Sequence, residues 1–236
     1  LIALGFKPNK TTFIVDTLHA NVLYKQAVKI AKRITFSTAK ATFGFTNDTN
    51  IGAIFYTAMQ AVPAILPSIL AGKNVPCLIP LGLDQDPHFR IARDVYPKLG
   101  FYKPALIHCR FLPALAGIAQ GKMSSSAEET AIYTTDTSET IKKKINKYAF
   151  SGGRAKIEEH RKKGGNPDID VAYQYLTFFG PDDKKLKKIH DDYKSGALLS
   201  SELKQILIET LTTFLQKHQE KREQAGNKVG EYFFRE

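Results

Sequence analysis

The sequence predicts an α/β part followed by an all-α part, and three observations carry that prediction. Short apolar runs alternate with helical stretches through the first 135 residues. From Asp136 onward, apolar residues recur three and four apart within densely charged segments. The charge divides at the same place: residues 1–135 hold 14 Lys and Arg against 7 Asp and Glu, while residues 136–236 hold 20 against 16. The expected domains are therefore 1–135 and 136–236.

In the first part, Thr12-Phe13-Ile14-Val15 and Val75-Pro76-Cys77-Leu78-Ile79 read as short buried strands, with Pro76 tolerable near a strand's start. Ala105-Leu106-Ile107-His108 is a third. Asn21 to Arg33 reads as a helix with Val22, Ala27, Ile30 and Ala31 apolar, so the strands are expected to lie parallel. Ile51 to Leu70 carries no charge over 20 residues, the length of a membrane span. It contains Gln60, Pro63, Pro67 and Ser68 and lacks basic flanks, so it reads instead as a buried helix broken near Pro63. A buried Gln60 must then find partners.

The second part reads as a helical bundle. Asp136 and Glu139 have capping-box spacing, followed by Ile141, Ile145 and Tyr148 on one face. Asp168 is placed to cap a helix with Val171, Tyr175 and Phe178 inward, stopped at Gly180-Pro181. Asp182 opens another, carrying Leu186, Ile189 and Tyr193 and closed by Gly196. The longest begins near Ser201, carries Leu203, Ile206, Leu207, Leu211 and Phe214, and ends near Gly226.

Composition limits the function classes. A 43% hydrophobic and 11% aromatic chain of 236 residues buries a core and is neither disordered nor collagen-like. Two cysteines, Cys77 and Cys109, make no disulfide scaffold, and a reducing, intracellular setting follows. The net charge of +11 suits a polyanionic partner without requiring one. Leu1-Ile2 stands where an initiator Met would, with no signal peptide after it, and the chain reads as a piece of something longer.

Two strings carry chemistry. Gly121-Lys122-Met123-Ser124-Ser125-Ser126 is a glycine-entered segment with one cation and three hydroxyls, suited to a migrating phosphate charge. By composition the same string also suits a Ser-rich linker. Pro80-Leu81-Gly82-Leu83-Asp84-Gln85-Asp86 follows an apolar run, where α/β folds place ligands. Asp84 or Asp86 could equally cap the helix through Phe89 and Ile91, with Pro87 at its first position. Both hold if Asp86 caps while Asp84 and Gln85 face a ligand.

Lys122-Met123-Ser124-Ser125-Ser126 resembles the KMSKS signature of class I aminoacyl-tRNA synthetases, and Gly82-Leu83-Asp84-Gln85 resembles the G-x-D-Q element of their tyrosine and tryptophan subclass. Asp84-Gln85-Asp86-Pro87, Lys103-Pro104-Ala105-Leu106, Ala149-Phe150-Ser151-Gly152-Gly153-Arg154 and Tyr175-Leu176-Thr177-Phe178-Phe179 narrow the resemblance to the eukaryotic-type tryptophanyl-tRNA synthetases. The resemblance covers nearly the whole chain. It implies a partial Rossmann-type nucleotide-binding domain followed by a helical anticodon-binding domain. It also implies ATP-dependent activation of tryptophan with Mg2+ and transfer to tRNA(Trp), in a cytoplasmic homodimer that does not enter a membrane.

Residue by residue, the resemblance implies that Lys122 is catalytic and that Gly82, Asp84, Lys122, Met123, Ser124 and Ser126 bind ATP, with Asp84 on the ribose. Gln60, in Ala58-Met59-Gln60-Ala61, and Gln85 would hold the ammonium of the amino acid. Arg154, Glu158 and Arg161 would meet tRNA, while Lys142-Lys143-Lys144 and Lys184-Lys185 read as solvated faces. Ser125 departs from the second Lys of KMSKS, so pyrophosphate needs positive charge from elsewhere. Thr17-Leu18-His19-Ala20 lacks the Gly of the HIGH element. The chain thus resembles a C-terminal part, expected to be inactive alone and to have a complementary N-terminal segment as a partner.

Two alternatives stay open: a non-enzymatic tRNA-binding or signalling module on the same scaffold, and a tyrosine-specific enzyme. No structural metal is expected, because adjacent His108 and Cys109 would point to opposite sides of a strand. His160, His190 and His218 read as surface residues.

Overall fold

The computed structural model describes residues 1–117, 121–123, 128–180 and 182–235. The chain folds as two units: Thr12–Arg110 with the closing residues from Phe233, and Leu1–Thr11 with Phe111–Tyr232.

The first unit is built on a parallel pair of strands, β1 (Leu78–Gly82) and β2 (Ala105–Cys109), with Leu78 opposite Ala105 and Gly82 opposite Cys109. A parallel pair needs a crossover, supplied by a 3-10 turn over Leu83–Gln85 and helix α5 (Asp86–Val95). Ahead of the sheet come α1 (Ala20–Ala31), α2 (Phe36–Phe43), α3 (Ile51–Ala61) and α4 (Leu66–Leu70). Leu23, Ala27 and Ile30 recur at helical spacing on α1 and bury together with Ala58 and Ala61 of α3 and Phe89, Ala92 and Val95 of α5. Tyr96 lies inside this core, its hydroxyl donating to the Ala61 carbonyl, and burial pushes its phenol well above the ordinary value. The uncharged run breaks at Pro63 as expected, into α3, a 3-10 turn over Val62–Ala64, and α4. One side of it faces out, since Ile51 is 83% exposed.

The expected strands shift. Thr12–Val15 makes only a single parallel bridge, Phe13 to Phe233. Val15 already closes a turn, its carbonyl accepting from the amides of Leu18 and His19. The run expected from Val75 begins at Leu78 because the Val75 amide is taken by the Ser68 hydroxyl at 2.9 Å, and Pro76 has no N–H to give. Pro80 falls within β1, which a two-stranded sheet tolerates because each strand is an edge.

The second unit is helical: α6 (Ser138–Tyr148), α7 (Ile157–Lys163), α8 (Val171–Phe179), α9 (Asp183–Ser195) and α10 (Ser200–Ala225). Helix α10 supplies Leu203, Leu207, Leu211 and Leu215 to a core completed by Ile141 and Ile145 of α6, Val171, Tyr175 and Leu176 of α8, and Leu115. Phe178, expected inward, is 44% exposed, because Tyr175 and Leu176 already take the buried face of α8.

Two expected caps move along the chain. Thr137 rather than Asp136 caps α6, accepting from the Thr140 amide at 3.2 Å. Asp136 instead pairs with Lys144 at 2.8 Å. Asp170 rather than Asp168 caps α8, accepting from the amides of Ala172 and Tyr173. Asp182 caps α9, and Gly196 closes it at φ 85°, a conformation that favours glycine.

Candidate functional site

In the sheet-bearing unit the candidate residues collect at the carboxyl end of β1. Gly82 ends the strand, the 3-10 turn carries Asp84 outward, and Gln85 is the residue before α5. Neither Asp84 nor Asp86 caps α5. Asp86 is its first residue, and its carboxylate is held by Arg90 at 2.9 Å and by His108 Nε2 at 2.7 Å. These partners on the next helical turn and on β2 leave it no reach to the helix's own amides.

Gln85 is half-buried, and its Oε1 accepts from Gln60 Nε2 at 3.1 Å. Gln60 Oε1 in turn accepts from the Tyr56 hydroxyl at 2.7 Å. Tyr56 and Gln60 sit one turn apart on α3, the spacing that puts two side chains on one face. The structure therefore brings together the two residues expected to hold an ammonium and adds Tyr56, which the sequence reading missed. Its four-residue spacing from Gln60 was the available signal.

His88 stands beside them, its ring 4.5 Å from that of Phe43 and edge-on to that of Tyr56 at 5.7 Å. Its Nδ1 is buried without a hydrogen-bond partner. Burial holds its pKa below the ordinary value of 6.5, against the opposing pull of the Thr57 backbone and the Asp84 charge.

In the helical unit, Lys122 forms an isolated antiparallel bridge with Pro113, and Met123 donates its amide to the Leu112 carbonyl at 2.9 Å. The Lys122 ammonium lies 4.8 Å from the centre of the Phe111 ring, a cation–π distance. The segment it bridges is fastened to the helices: Tyr175 donates to the Pro113 carbonyl at 2.7 Å, and the Phe150 amide to that of Leu115 at 2.8 Å. Ser124 and Ser126 lie outside the described residues.

Arg154, Glu158 and Arg161 lie on the exposed side of a tightly packed seam. Asp170, 1% exposed, accepts from the Gly152 amide at 2.8 Å and from the Tyr193 hydroxyl at 2.7 Å. Tyr193 also meets Ser200 at 3.0 Å and Ser151 at 3.3 Å, and burial pushes its phenol up to about 12. A side chain at Gly153 would sit 2.1 Å from Ser200 Oγ, and one at Gly152 would sit 2.0 Å from the Asn166 carbonyl oxygen. The two glycines are thus needed for close approach.

His160, expected at the surface, is 2% exposed. Its Nδ1 accepts from the Arg154 amide at 3.3 Å and its Nε2 reaches the Leu198 carbonyl at 2.9 Å. The charged neighbours Arg161–Lys163 made it look solvated, but a helix turns successive residues to different faces. Arg161 donates to the carbonyls of Gly196 and Ala197, and Arg154 Nε to that of Gly164 at 3.3 Å. Both guanidiniums are therefore oriented by backbone while remaining exposed. Among the described residues no three His, Cys, Asp or Glu gather as a metal site, and no helix is long and apolar enough to cross a membrane.

Comparison with known proteins shows what the chain as a whole is similar to. The chain is 53% identical over 235 residues to the tryptophan–tRNA ligase of Sulfolobus acidocaldarius, covering 99% of this chain and 60% of that protein. It is 49% identical over 239 residues to the cytoplasmic tryptophan–tRNA ligase of Saccharomyces cerevisiae, covering 99% and 55%. The crystal structure of Plasmodium falciparum tryptophanyl-tRNA synthetase superposes with a TM-score of 0.88 at 42% identity, covering 99% of this chain and 63% of that one. The chain thus spans 55% to 60% of the length of these two curated relatives. The profile of the class I tRNA synthetases (W and Y) matches residues 3–216, and the chain belongs to that family.

Proposed function

We propose that the protein carrying this chain is a tryptophan–tRNA ligase. The observation that supports this most is the Gln60–Gln85 pair at the carboxyl end of β1. A ligand ammonium needs acceptor oxygens, and each amide oxygen here keeps a lone pair beyond the one already engaged. The relatives' names supply the amino acid.

In this reading a tryptophan carboxylate oxygen attacks the α-phosphorus of Mg–ATP, forming the acyl-phosphate bond while pyrophosphate leaves. The terminal ribose hydroxyl of tRNA(Trp) then attacks the acyl carbon and AMP departs. Magnesium enters with ATP as substrate. Gln60 and Gln85 hold the ammonium, and Asp84 accepts from the ribose hydroxyls. Gly82 allows close approach of the nucleotide, and Met123, Ser124 and Ser126 share in binding ATP. Lys122 stabilises charge developing on the phosphate. Arg154, Glu158 and Arg161 meet the anticodon region, cations on phosphate and carboxylate or guanidinium on base edges.

The functional partition is drawn at 1–135 and 136–236, keeping the Lys122 string with the catalytic part. A cytoplasmic homodimer completes the proposal. Tryptophan-dependent ATP–pyrophosphate exchange by the full-length protein tests it. Exchange with tryptophan but not tyrosine, reduced about 100-fold or more by Lys122→Ala, is the expected result. Exchange equal with tyrosine, or indifferent to Lys122→Ala, overturns it.

A further inference from the structure

We infer that Tyr56 is a positioning residue whose hydroxyl anchors the Gln60 carboxamide, and through it Gln85, in place for a bound ammonium. The inference rests on the functional reading above and adds to it a residue outside the resemblance.

A carboxamide has two ends of opposite character and nearly the same shape, so its orientation follows from its partners. At Gln60 that partner is the Tyr56 hydroxyl, donating at 2.7 Å to Oε1. With Oε1 turned to the phenol, Nε2 must point the other way, and it donates to Gln85 Oε1 at 3.1 Å. The three groups form one directed chain, hydroxyl to amide to amide. If Gln60 turned over, its oxygen would face the oxygen of Gln85, and two acceptors repel unless Gln85 turned as well. The hydroxyl therefore anchors one end of a coupled pair. Both amide oxygens accept a hydrogen bond within the chain, and bonds in such a chain polarise one another.

The support around Tyr56 fits a fixed role. It lies on α3, one turn from Gln60, on a rigid element rather than a loop. The His88 ring meets it edge-on at 87° and 5.7 Å. Its outer side is open: Tyr56 is 49% exposed and forms part of the wall of a cavity of about 670 Å³ with Tyr24, Lys25 and Met59. A phenyl ring in its place keeps the His88 contact and opens no buried gap. Tyr56→Phe thus removes the hydroxyl and little else.

The test is steady-state ATP–pyrophosphate exchange with the full-length protein, comparing Tyr56→Phe with the unsubstituted enzyme. The KM for tryptophan should rise about two- to tenfold, the scale of one net hydrogen bond. The KM for ATP should stay unchanged. Inhibition by indole-3-propionate, which has the ring and carboxylate of tryptophan without its ammonium, should also be unchanged. A general loosening would weaken that inhibitor as much as tryptophan, and a parallel loss overturns the inference. So does an unaltered KM for tryptophan. If the unsubstituted protein shows no tryptophan-dependent exchange, the functional reading fails first and takes this inference with it.

Discussion

Gln60 and Gln85, 25 residues apart, are joined by a single hydrogen bond of 3.1 Å from Nε2 to Oε1. One comes from the third helix and the other from the turn after β1. Neither amide is fully buried, so the bond adds little to stability. Its consequence is directional: it holds the two amides against each other, with a lone pair still open on each oxygen.

Because the two amides orient one another, their removal should be non-additive. Gln60→Ala and Gln85→Ala are each expected to raise the tryptophan KM about tenfold in the exchange assay. The double variant should fall short of the summed loss by about 1 kcal/mol, as contacting residues do. Simple additivity would mean that the pair does not act on one ligand group.

Gly164 and Gly72 separate two costs of a side chain at positive φ. Gly72 lies at φ +61 with nothing within 4 Å of an added Cβ, so Gly72→Ala should cost only the left-handed backbone strain, about 1 kcal/mol. Gly164 lies at φ +71, and an added Cβ would sit 1.8 Å from the Lys194 carbonyl oxygen. Backbone there must move, and Gly164→Ala should cost about 3 kcal/mol or more in urea unfolding. Equal losses would show that the Gly164 seam relaxes freely.

What was legible in the sequence was chain-local. The Gly82–Gln85 string ends a strand because an apolar run precedes it and a helix pattern follows, and both are adjacent in sequence. The break at Pro63 follows from one residue's missing N–H. The caps slipped where two candidates compete: Thr137 stands beside Asp136, and Asp170 lies two residues from Asp168. Only tertiary partners, Lys144 for Asp136 and Gly152 with Tyr193 for Asp170, decide between them. His160 was misread for the same reason, since what buries it comes from glycines and a tyrosine in distant segments. The Gln60–Gln85 bond likewise crosses 25 residues and leaves no local mark.

Asp170 should be the most sensitive polar residue of the helical unit. Its two oxygens accept from the amides of Gly152, Ala172 and Tyr173 and from the Tyr193 hydroxyl. Asp170→Ala removes a helix cap and strands buried donors, for an expected loss of about 3–5 kcal/mol by denaturant unfolding. Tyr193→Phe removes one of the four donors and should cost about 1–2 kcal/mol. If Tyr193→Phe proves the more damaging, ring packing rather than the carboxylate holds the seam.

His88 makes stability depend on mild acid. Its folded pKa lies below 6.5, chiefly because burial disfavours the charged ring. The unfolded chain therefore takes up a proton first as pH falls, and the folded state resists it. The sign follows: the contribution is fully present above about pH 6.5 and is lost as pH falls through that value toward the lower folded pKa. His88→Phe keeps an aromatic ring between Phe43 and Tyr56, removes the unpartnered Nδ1, and cannot be protonated. Urea midpoints at pH 7.5 and pH 5 should show the variant at least as stable as the parent at the higher value. At pH 5 it should be more stable by a wider margin, because only the parent loses this contribution. Parallel pH profiles for the two proteins would show that His88 titrates alike in the folded and unfolded chains.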